Sequence, residues 1–235
     1  MKKFLVFLTI VLFLAIPLAA NAYTISDTVP DAIGGLTFET YGLNVYNFTP
    51  GVNSGAIYFD LFTNYQKTGL TVGGWDTTPA DLFITETYEG VDYKWAIPLV
   101  SHGDFDAGIM YAVETYLVSD DFEPDTGSYI YNQGVPVQIA TVGNNYGYTD
   151  FGIWGGSVAW TELAPGNPDY KIHVTTPIWQ DDPNGKFSFL WGTATCANDV
   201  IEGSVPVPEP ATMLLLGAGL IGLAGIGRKK LFKEN

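Results

Sequence analysis

Two histidines and a set of carboxylates are the residues best suited to acid–base chemistry in this chain. His102 and His173 are far apart in sequence, and neither stands beside a GxSxG nucleophile elbow or a second metal ligand. Asp104 and Asp106 would act on a glycosidic bond only if the fold placed them across one cleft, which spacing alone does not show. The pattern therefore favours a non-enzymatic protein over a secreted hydrolase.

Closely spaced acidic residues form a candidate metal site. Asp121, Glu123 and Asp125 occupy alternate positions of one segment, and carboxylate oxygens are hard ligands that suit calcium. The glycine of this segment comes one place later than in a calcium loop, Pro124 interrupts the segment, and Asn132 stands where a bidentate glutamate would be. We therefore expect no cofactor, with a bound calcium ion as the alternative to solvated acidic loops.

Aromatic residues are numerous enough to build either a core or a sugar-binding face. Trp75, Trp154 and Trp179 lie near turn signals, and they are the candidates for stacking on the C–H face of a pyranose ring. Core packing is the commoner fate of such side chains. Carbohydrate binding is therefore an alternative function, with polysaccharide as the corresponding partner.

Cys196 is the one cysteine of the chain, so no intramolecular disulfide can form. Free cysteines are usually buried and behave as small hydrophobic residues. We expect Cys196 to be buried, with a reactive or intermolecular thiol as the alternative.

The elements that position these residues are predicted to be strands. The chain has 27 glycines, 14 prolines and only 15% charged residues, a composition typical of short strands joined by turns. Alternation of apolar and polar residues predicts nine strands, at about 36–46, 56–63, 82–87, 93–100, 109–118, 135–142, 151–160, 170–175 and 187–195. The sequence therefore predicts an all-β body with a β-sandwich or jelly-roll-like architecture.

The body is strongly acidic. The net charge of the chain is -15, but most basic residues lie near its ends, and residues 23–206 hold four lysines, no arginine and 23 acidic residues, hence a charge of -19. Such a surface repels phosphate backbones, so nucleic acid is a poor candidate partner.

Residues 1–22 have the pattern of a secretory signal peptide. Lys2 and Lys3 precede an apolar run at 4–16, and the small residues Ala20 and Ala22 mark a cleavage site. The thirteen residues of this run are too short to cross a hydrocarbon core of about 30 Å as a helix. The sequence predicts a signal helix that the secretion machinery recognises, with cleavage between Ala22 and Tyr23.

The other end of the chain combines three features in a fixed order. Prolines at alternate positions favour an extended segment, and the uncharged residues 211–227 that follow are just long enough to span a bilayer as one helix. A basic cluster comes next and belongs on the cytoplasmic side, so the body is predicted to lie outside. The prolines are Pro206, Pro208 and Pro210, and the basic cluster is Arg228, Lys229 and Lys230.

Together these features resemble a PEP-CTERM tail, the signal that exosortase-type membrane enzymes recognise in Gram-negative bacteria. The resemblance runs from Val205 onward. It implies that Pro208, Glu209 and Pro210 form the recognition motif and that the basic cluster retains the tail in the membrane. It also implies transient membrane anchoring, removal or exchange of the tail by the sorting enzyme, and a final place on the cell surface or in extracellular matrix.

The chain thus divides into a signal peptide at 1–22, a β-sandwich body at 23–202 and a sorting tail at 203–235. Residues 187–203 resemble the last strand and exit segment of several PEP-CTERM surface proteins, which predicts that the chain leaves the body after a polar turn at Asn198 and Asp199. We expect an exported, non-enzymatic surface or matrix protein. The alternative is a carbohydrate-binding module, with or without calcium, displayed by the same tail.

Overall fold

Short strands make up most of the body of this chain in its computed structural model. The residues described are 23–27, 32–33, 35–46, 57–72, 75–88, 90–122, 132–143, 153–164, 166, 168–176 and 186–205. Within these ranges there are fourteen strands and two single 3-10 turns, at Leu36–Phe38 and Ser119–Asp121. The strands are β1 (Tyr23–Ser26), β2 (Thr40–Tyr46), β3 (Ile57–Thr63), β4 (Leu70–Val72), β5 (Trp75–Thr77), β6 (Leu82–Tyr88), β7 (Val91–Ile97), β8 (Met110–Val118), β9 (Pro136–Val142), β10 (Ile153–Trp154), β11 (Ser157–Glu162), β12 (Tyr170–Thr176), β13 (Lys186–Gly192) and β14 (Val200–Val205).

Five strands form the first sheet, in the order β1-β2-β3-β12-β11, and all neighbours run antiparallel. The central strand β3 shows why the sequence folds this way. Its residues Ile57, Phe59 and Leu61 are buried and alternate with half-buried ones. Because successive side chains of a strand point to opposite faces, this period of two gives the sheet one buried face and one outer face.

The second sheet has seven strands, with the main order β10-β8-β7-β6-β13-β14 and with β9 paired to β8. Strand β9 pairs with β8 between Val113 and Val118, and β10 pairs with Met110 and Tyr111 of the same strand. The short strands β4 and β5 form a separate two-stranded sheet. Every strand pair in the described ranges is antiparallel.

The two larger sheets share one hydrophobic cluster. Leu43, Phe59 and Val174 enter this cluster from the first sheet, and Ile84 and Trp191 enter it from the second. Trp191 is fully buried, and its indole N–H donates to the carbonyl of Ala80 at 3.1 Å. The indole N–H of this large buried side chain therefore has a hydrogen-bond acceptor, as is usual for buried polar groups. The prediction of an all-β body is confirmed.

One predicted strand, 151–160, is divided between the two sheets. Strand β10 pairs in the seven-stranded sheet, whereas β11 pairs with β12 in the five-stranded sheet. Gly155 and Gly156 stand at the crossing, where backbones approach closely. A Cβ atom at Gly156 would lie 2.6 Å from the carbonyl oxygen of Thr175, so only glycine fits there.

The predicted exit from the body after Asn198 and Asp199 is wrong. The chain turns back at these residues and forms β14, which pairs with β13 in antiparallel fashion. The physical reason is hydrophobic, because Ile201 and Val205 of β14 are almost completely buried in the main cluster. Four short strands were not predicted, namely β1, β4, β5 and β14, and residues 36–38 form a 3-10 turn rather than the start of β2.

The turn at 193–199, between β13 and β14, is a buried polar link between the sheets. Asp199 is 3% exposed, and its carboxylate accepts the N–H of Thr40 at 2.6 Å and the N–H of Val200 at 2.8 Å. Thr40 begins β2 in the five-stranded sheet, so this carboxylate joins the two sheets. Burial raises the pKa of Asp199 to about 6, against the lowering effect of its backbone hydrogen bonds.

Two further segments are tied to the same turn. Asn198 makes two hydrogen bonds with Ile33. The backbone carbonyl of Asn198 accepts the N–H of Ile33 at 2.7 Å, and the side-chain amide of Asn198 donates to the carbonyl of Ile33 at 2.6 Å. Asn132 donates its side-chain amide to the carbonyl of Ala197 at 2.8 Å. The turn therefore anchors the segments that follow β1 and precede β9.

Among the described residues, no helix is long and apolar enough to cross a membrane. The predicted signal helix at 1–22 and the predicted transmembrane helix at 211–227 lie outside the described part of the chain.

The raised pKa of Asp199 predicts how stability depends on pH. The folded-state pKa of about 6 lies above the ordinary 3.8, so the folded body binds a proton that the unfolded chain does not hold between these values. Lowering the pH from 7 to 5 should therefore stabilise the body by about 1 kcal/mol through this group. The free energy of unfolding, measured in urea at pH 7 and pH 5 for the unmodified body and for the Asp199→Asn variant, gives the contribution of this group.

The Asp199→Asn variant should be less stable, because an amide cannot accept both backbone N–H groups, but it should lose this part of the pH dependence. An equal pH dependence in both proteins would contradict the assignment.

Candidate functional site

The residues predicted to direct sorting lie beyond the folded strands. Tyr23, predicted to follow the signal cleavage site, is the first residue of β1, and Val205 is the last residue of β14. Folded structure therefore adjoins both predicted processing junctions. The other predicted sorting residues lie outside the described part of the chain, and they are Ala22, Pro208, Glu209, Pro210, Arg228, Lys229 and Lys230.

Strands β1 and β14 pack on each other at one corner of the body. A Cβ atom at Gly203 would lie 2.7 Å from two side-chain carbons of Ile25, so the absence of a side chain at Gly203 makes room for Ile25. Ile25 lies beside Gly203, and farther along the chain Ile33 is hydrogen-bonded to Asn198, which precedes β14. Moving forward from β1 therefore leads toward the start of β14. The two strands thus run in opposite directions, and Tyr23 lies at the end of the body where β14 finishes.

The acidic segment at 120–125 uses its described carboxylates on its own backbone. Asp121 accepts the N–H of Val118 at 2.8 Å, and Asp120 accepts the N–H of Gly134 at 2.7 Å. Glu123 and Asp125, the other predicted ligands, are outside the described residues. No group of three histidine, cysteine or acidic side chains in the described ranges could hold a metal ion. The calcium site at Asp121, Glu123 and Asp125 remains a prediction.

His102 is paired with a fully buried aspartate that sequence reasoning missed. Its Nε2 lies 2.9 and 3.1 Å from the two carboxylate oxygens of Asp81, and the N–H of Ile139 donates to the same carboxylate at 2.8 Å. Burial raises the pKa of Asp81, while the hydrogen bonds of His102 and Ile139 oppose the shift. The pair fastens the tight turn at 102–105 to the start of β6 and to β9.

Asp104 lies at the tip of this turn and is exposed, and the backbone N–H of Asp106 donates to the hydroxyl of Tyr111 at 2.9 Å. The turn is closed by two backbone hydrogen bonds between His102 and Phe105. Asp104 and Asp106 thus follow each other around one exposed turn.

His173 belongs to a polar and aromatic cluster on the outer face of the five-stranded sheet. Its Nδ1 lies 2.6 Å from Asp60, the Nζ of Lys171 lies 3.8 Å from the other oxygen of Asp60, and the ring of Tyr58 stacks on the imidazole at 5.8 Å between centroids. Beside them on β2, the amide of Asn44 donates to the hydroxyl of Tyr46 at 3.0 Å. We call these six residues the outer-face cluster. All six are at least partly accessible to solvent.

The register of the strands explains why these residues meet. Asp60 is paired with His173 on one side and with Asn44 on the other, and Tyr58 is likewise paired with Thr175 and Tyr46. Cross-strand neighbours on one face have side chains close enough to interact. Sequence spacing gives no sign of this cluster, because β3 and β12 are about a hundred residues apart and their pairing is set by the fold.

Cys196 is 3% exposed, which confirms its predicted burial, and its thiol donates to the side-chain oxygen of Asn198. Trp75 and Trp154 lie in strands β5 and β10, but their side chains and the whole of Trp179 are outside what the structure describes. The sugar-stacking role of these three tryptophans therefore stays a prediction.

Comparisons with known proteins find one correspondence, at the carboxy-terminal end of the chain. A family model described as the PEP-CTERM protein-sorting motif matches residues 206–229. No curated protein and no solved structure matches the chain. The matched range begins one residue after β14 ends and includes the proline motif, the apolar segment and the first two residues of the basic cluster.

This match confirms the resemblance predicted from the residues. The motif is one that an exosortase recognises, and it marks an exported protein that is processed at the membrane for the cell surface. The chain therefore carries a PEP-CTERM protein-sorting motif.

Proposed function

We propose that this protein is a non-enzymatic component of the cell surface or extracellular matrix, delivered by exosortase processing of its tail. The match at residues 206–229, directly after the last strand of the body, is the observation that carries the proposal. The proposed division is a signal peptide at 1–22, a β-sandwich body that begins at 23, and a sorting tail. The body extends past the predicted boundary of 202 to include all of β14, so the proposed tail begins at 206. The body would be the part that is delivered, and the tail would be the signal that the sorting enzyme recognises.

The chemistry of the tail supports this role. Prolines on both sides of Glu209 lack backbone N–H groups and disfavour helix, so this stretch is suited to an enzyme cleft that binds extended peptide. The uncharged segment at 211–227 has five glycines, which weaken a helix relative to alanine or leucine. A membrane enzyme would unwind such a helix at low cost. Arg228, Lys229 and Lys230 would hold its far end on the cytoplasmic side.

The geometry of the body fits a structural role better than a hydrolytic one. Each histidine is held by an aspartate, and the two pairs lie on different parts of the fold, at a turn next to β6 and on the outer face of the five-stranded sheet. Asp104 and Asp106 lie around one turn and do not face each other across strands. A glycosidase needs two carboxyl groups on opposite sides of a bound sugar.

The proline motif provides the first test. Replacing Pro208, Glu209 and Pro210 with alanine should remove most of the protein from the cell surface and leave it in the inner membrane, because the enzyme loses its recognition sequence while the anchor stays intact. Protease accessibility on intact cells and membrane fractionation measure the two pools. The matched control is Glu202→Ala with Ser204→Ala, which changes two exposed residues just before the matched range and leaves residues 206–229 intact.

Unchanged surface display of the triple variant would contradict exosortase sorting. Equal loss in the control variant would also contradict it, because the effect would then reflect general disturbance of the segment.

A second candidate function, neutral-polysaccharide binding, is favoured by the outer-face cluster. Tyr46, Tyr58 and His173 offer ring surfaces on the same sheet face as Asn44 and Asp60, whose side chains can hydrogen-bond to sugar hydroxyls. Carbohydrate sites combine these two kinds of side chain. The tryptophans predicted for this role are not needed for a site here.

A tyrosine substitution separates this candidate from the first. Tyr58→Ala should weaken polysaccharide binding about 3- to 10-fold, the effect of removing one stacking ring. Affinity electrophoresis against a panel of neutral polysaccharides, with and without chelator, measures the binding. Tyr116→Ala is the matched control, because Tyr116 is a tyrosine with 38% exposure that lies on the seven-stranded sheet, away from the outer-face cluster. Absence of binding by the unmodified body, or equal loss in both variants, would count against the candidate.

A further inference from the structure

Both junctions of the body with its membrane-directed segments lie at the same end of the molecule. Strand β1 begins at Tyr23, strand β14 finishes at Val205, and the contact of Ile25 with Gly203 fixes the two strands side by side in opposite directions. Only a few residues separate each of these strands from the apolar segment next to it in the sequence. The position of this end relative to the membrane is therefore set by the fold and by the few residues that lead into the bilayer.

The register of the seven-stranded sheet shows which other residues share this end. Val205 pairs with Phe187, and Lys186 next to it pairs with Thr87, close to where β6 turns into β7. That hairpin closes between Tyr88 and Val91, so its tip lies at the end where β14 finishes. We call this the terminal end of the body, defined by Tyr23, Val91, Lys186 and Val205.

Val91 gives the terminal end an apolar feature. It is 51% exposed, although it is a large hydrophobic residue, and it stands next to the exposed Gly90. Lys186 at the same end is also exposed. Single exposed hydrophobic residues are common on protein surfaces, and Leu36 near the opposite end of the body is 55% exposed. Asp92 beside Val91 is exposed as well, so Val91 serves here as a labelling position, and the placement of this end follows from the two junctions.

Chain length limits how far the terminal end can stand from the membrane. From Val205 to Ala211, where the uncharged segment begins, there are six steps along the chain, and a fully extended chain spans at most about 3.3–3.6 Å per residue. The terminal end can therefore lie no more than about 20 Å from the hydrocarbon edge, of which the headgroup region takes about 5–7 Å. A similar bound holds for the precursor at Tyr23, seven steps after the apolar run at 4–16.

We infer that the terminal end of the body is a membrane-facing surface, kept close to the lipid headgroups for as long as the tail is uncleaved. Its partner is the surface of the bilayer that contains this chain's own segment 211–227, and the inference rests on the proposed membrane insertion of that segment. In the precursor, the signal peptide and the tail would enter the same membrane side by side. The sorting enzyme would then meet its motif in the narrow space between this surface and the bilayer.

The opposite end of the body provides an internal comparison. The turn with Asp104 is fastened by His102 to Asp81, immediately before β6 begins, whereas Val91 follows where β6 finishes. The six rises from Leu82 to Tyr88 in β6 span about 20 Å, so Asp104 lies about that much farther from the bilayer if the terminal end faces it. Both Asp104 and Val91 are exposed and accept a label without disturbing the core.

Depth-dependent quenching tests the inference. The full chain, with Cys196→Ala and either Val91→Cys or Asp104→Cys, is labelled with a bimane dye and reconstituted into phosphatidylcholine vesicles that contain a headgroup nitroxide lipid. Bimane at position 91 should be strongly quenched by the nitroxide lipid. Bimane at position 104 should show the same emission in vesicles with and without nitroxide lipid. Equal quenching at both positions, stronger quenching at 104, or failure of the chain to float with the vesicles would overturn the inference.

A longer connection supplies the matched control. Inserting twenty glycine and serine residues both between Ala22 and Tyr23 and between Val205 and Pro206 gives each junction a flexible tether of about 25 Å on average, so quenching at position 91 should fall markedly. Full quenching despite the insertions would overturn the argument from tether length. No sorting enzyme is present in these measurements, so a failed proline-motif test would refute exosortase sorting without changing the quenching result.

Discussion

Ile25 of the first strand packs against the bare backbone of Gly203 in the last strand, and this contact closes one corner of the body. Strand β1 belongs to the five-stranded sheet and β14 to the seven-stranded sheet, so the contact joins the edges of the two sheets. Any side chain at Gly203 would displace Ile25, which packs against the same hydrophobic cluster that contains Ile201 and Val205. Because the two strands also adjoin the two processing junctions, one packing contact determines where both ends of the body emerge.

The interior of the body reflects its shortage of cations. With four lysines and no arginine between residues 23 and 206, buried carboxylates cannot rely on ion pairs. Asp199 is held by two backbone N–H groups, and Asp81 by one backbone N–H and by His102. Backbone donors satisfy a carboxylate without supplying a full charge, so burial still raises the pKa of both groups. These links hold the turns in place, and the raised pKa of Asp199 makes the fold more stable as the pH falls from 7 toward 5.

The sequence predicted the long strands well and the short ones poorly. Strands β3 and β12 alternate clearly with a period of two, and β6 and β8 are long runs that contain several apolar residues. All four lie close to where they were expected. Strands β1, β4 and β5 have three or four residues, too few for a period to be read. Strand β14 was mistaken for an exit segment because the Asn198–Asp199 turn is polar in sequence, whereas the fold buries it beneath Ile33 and Asn132.

The functional residues divide in the same way. The sorting motif could be predicted because its meaning lies in local order along the chain, and the family match at 206–229 confirms it. The outer-face cluster and the Asp81–His102 pair could not be predicted, because their members come together only through strand pairing over long separations. Burial of Cys196 was foreseen from the usual behaviour of free thiols, but its contact with Asn198 depends on the backbone path of the 193–199 turn.

We propose that the folded body, from Tyr23 to Val205, is delivered without the segments on either side of it. Intact-mass analysis and terminal peptide sequencing of the protein recovered from the cell surface test this most directly. We expect a chain that begins at Tyr23 and contains no peptide from residues 211–235. A surface protein that still begins at Met1 or still ends at Asn235 would contradict it.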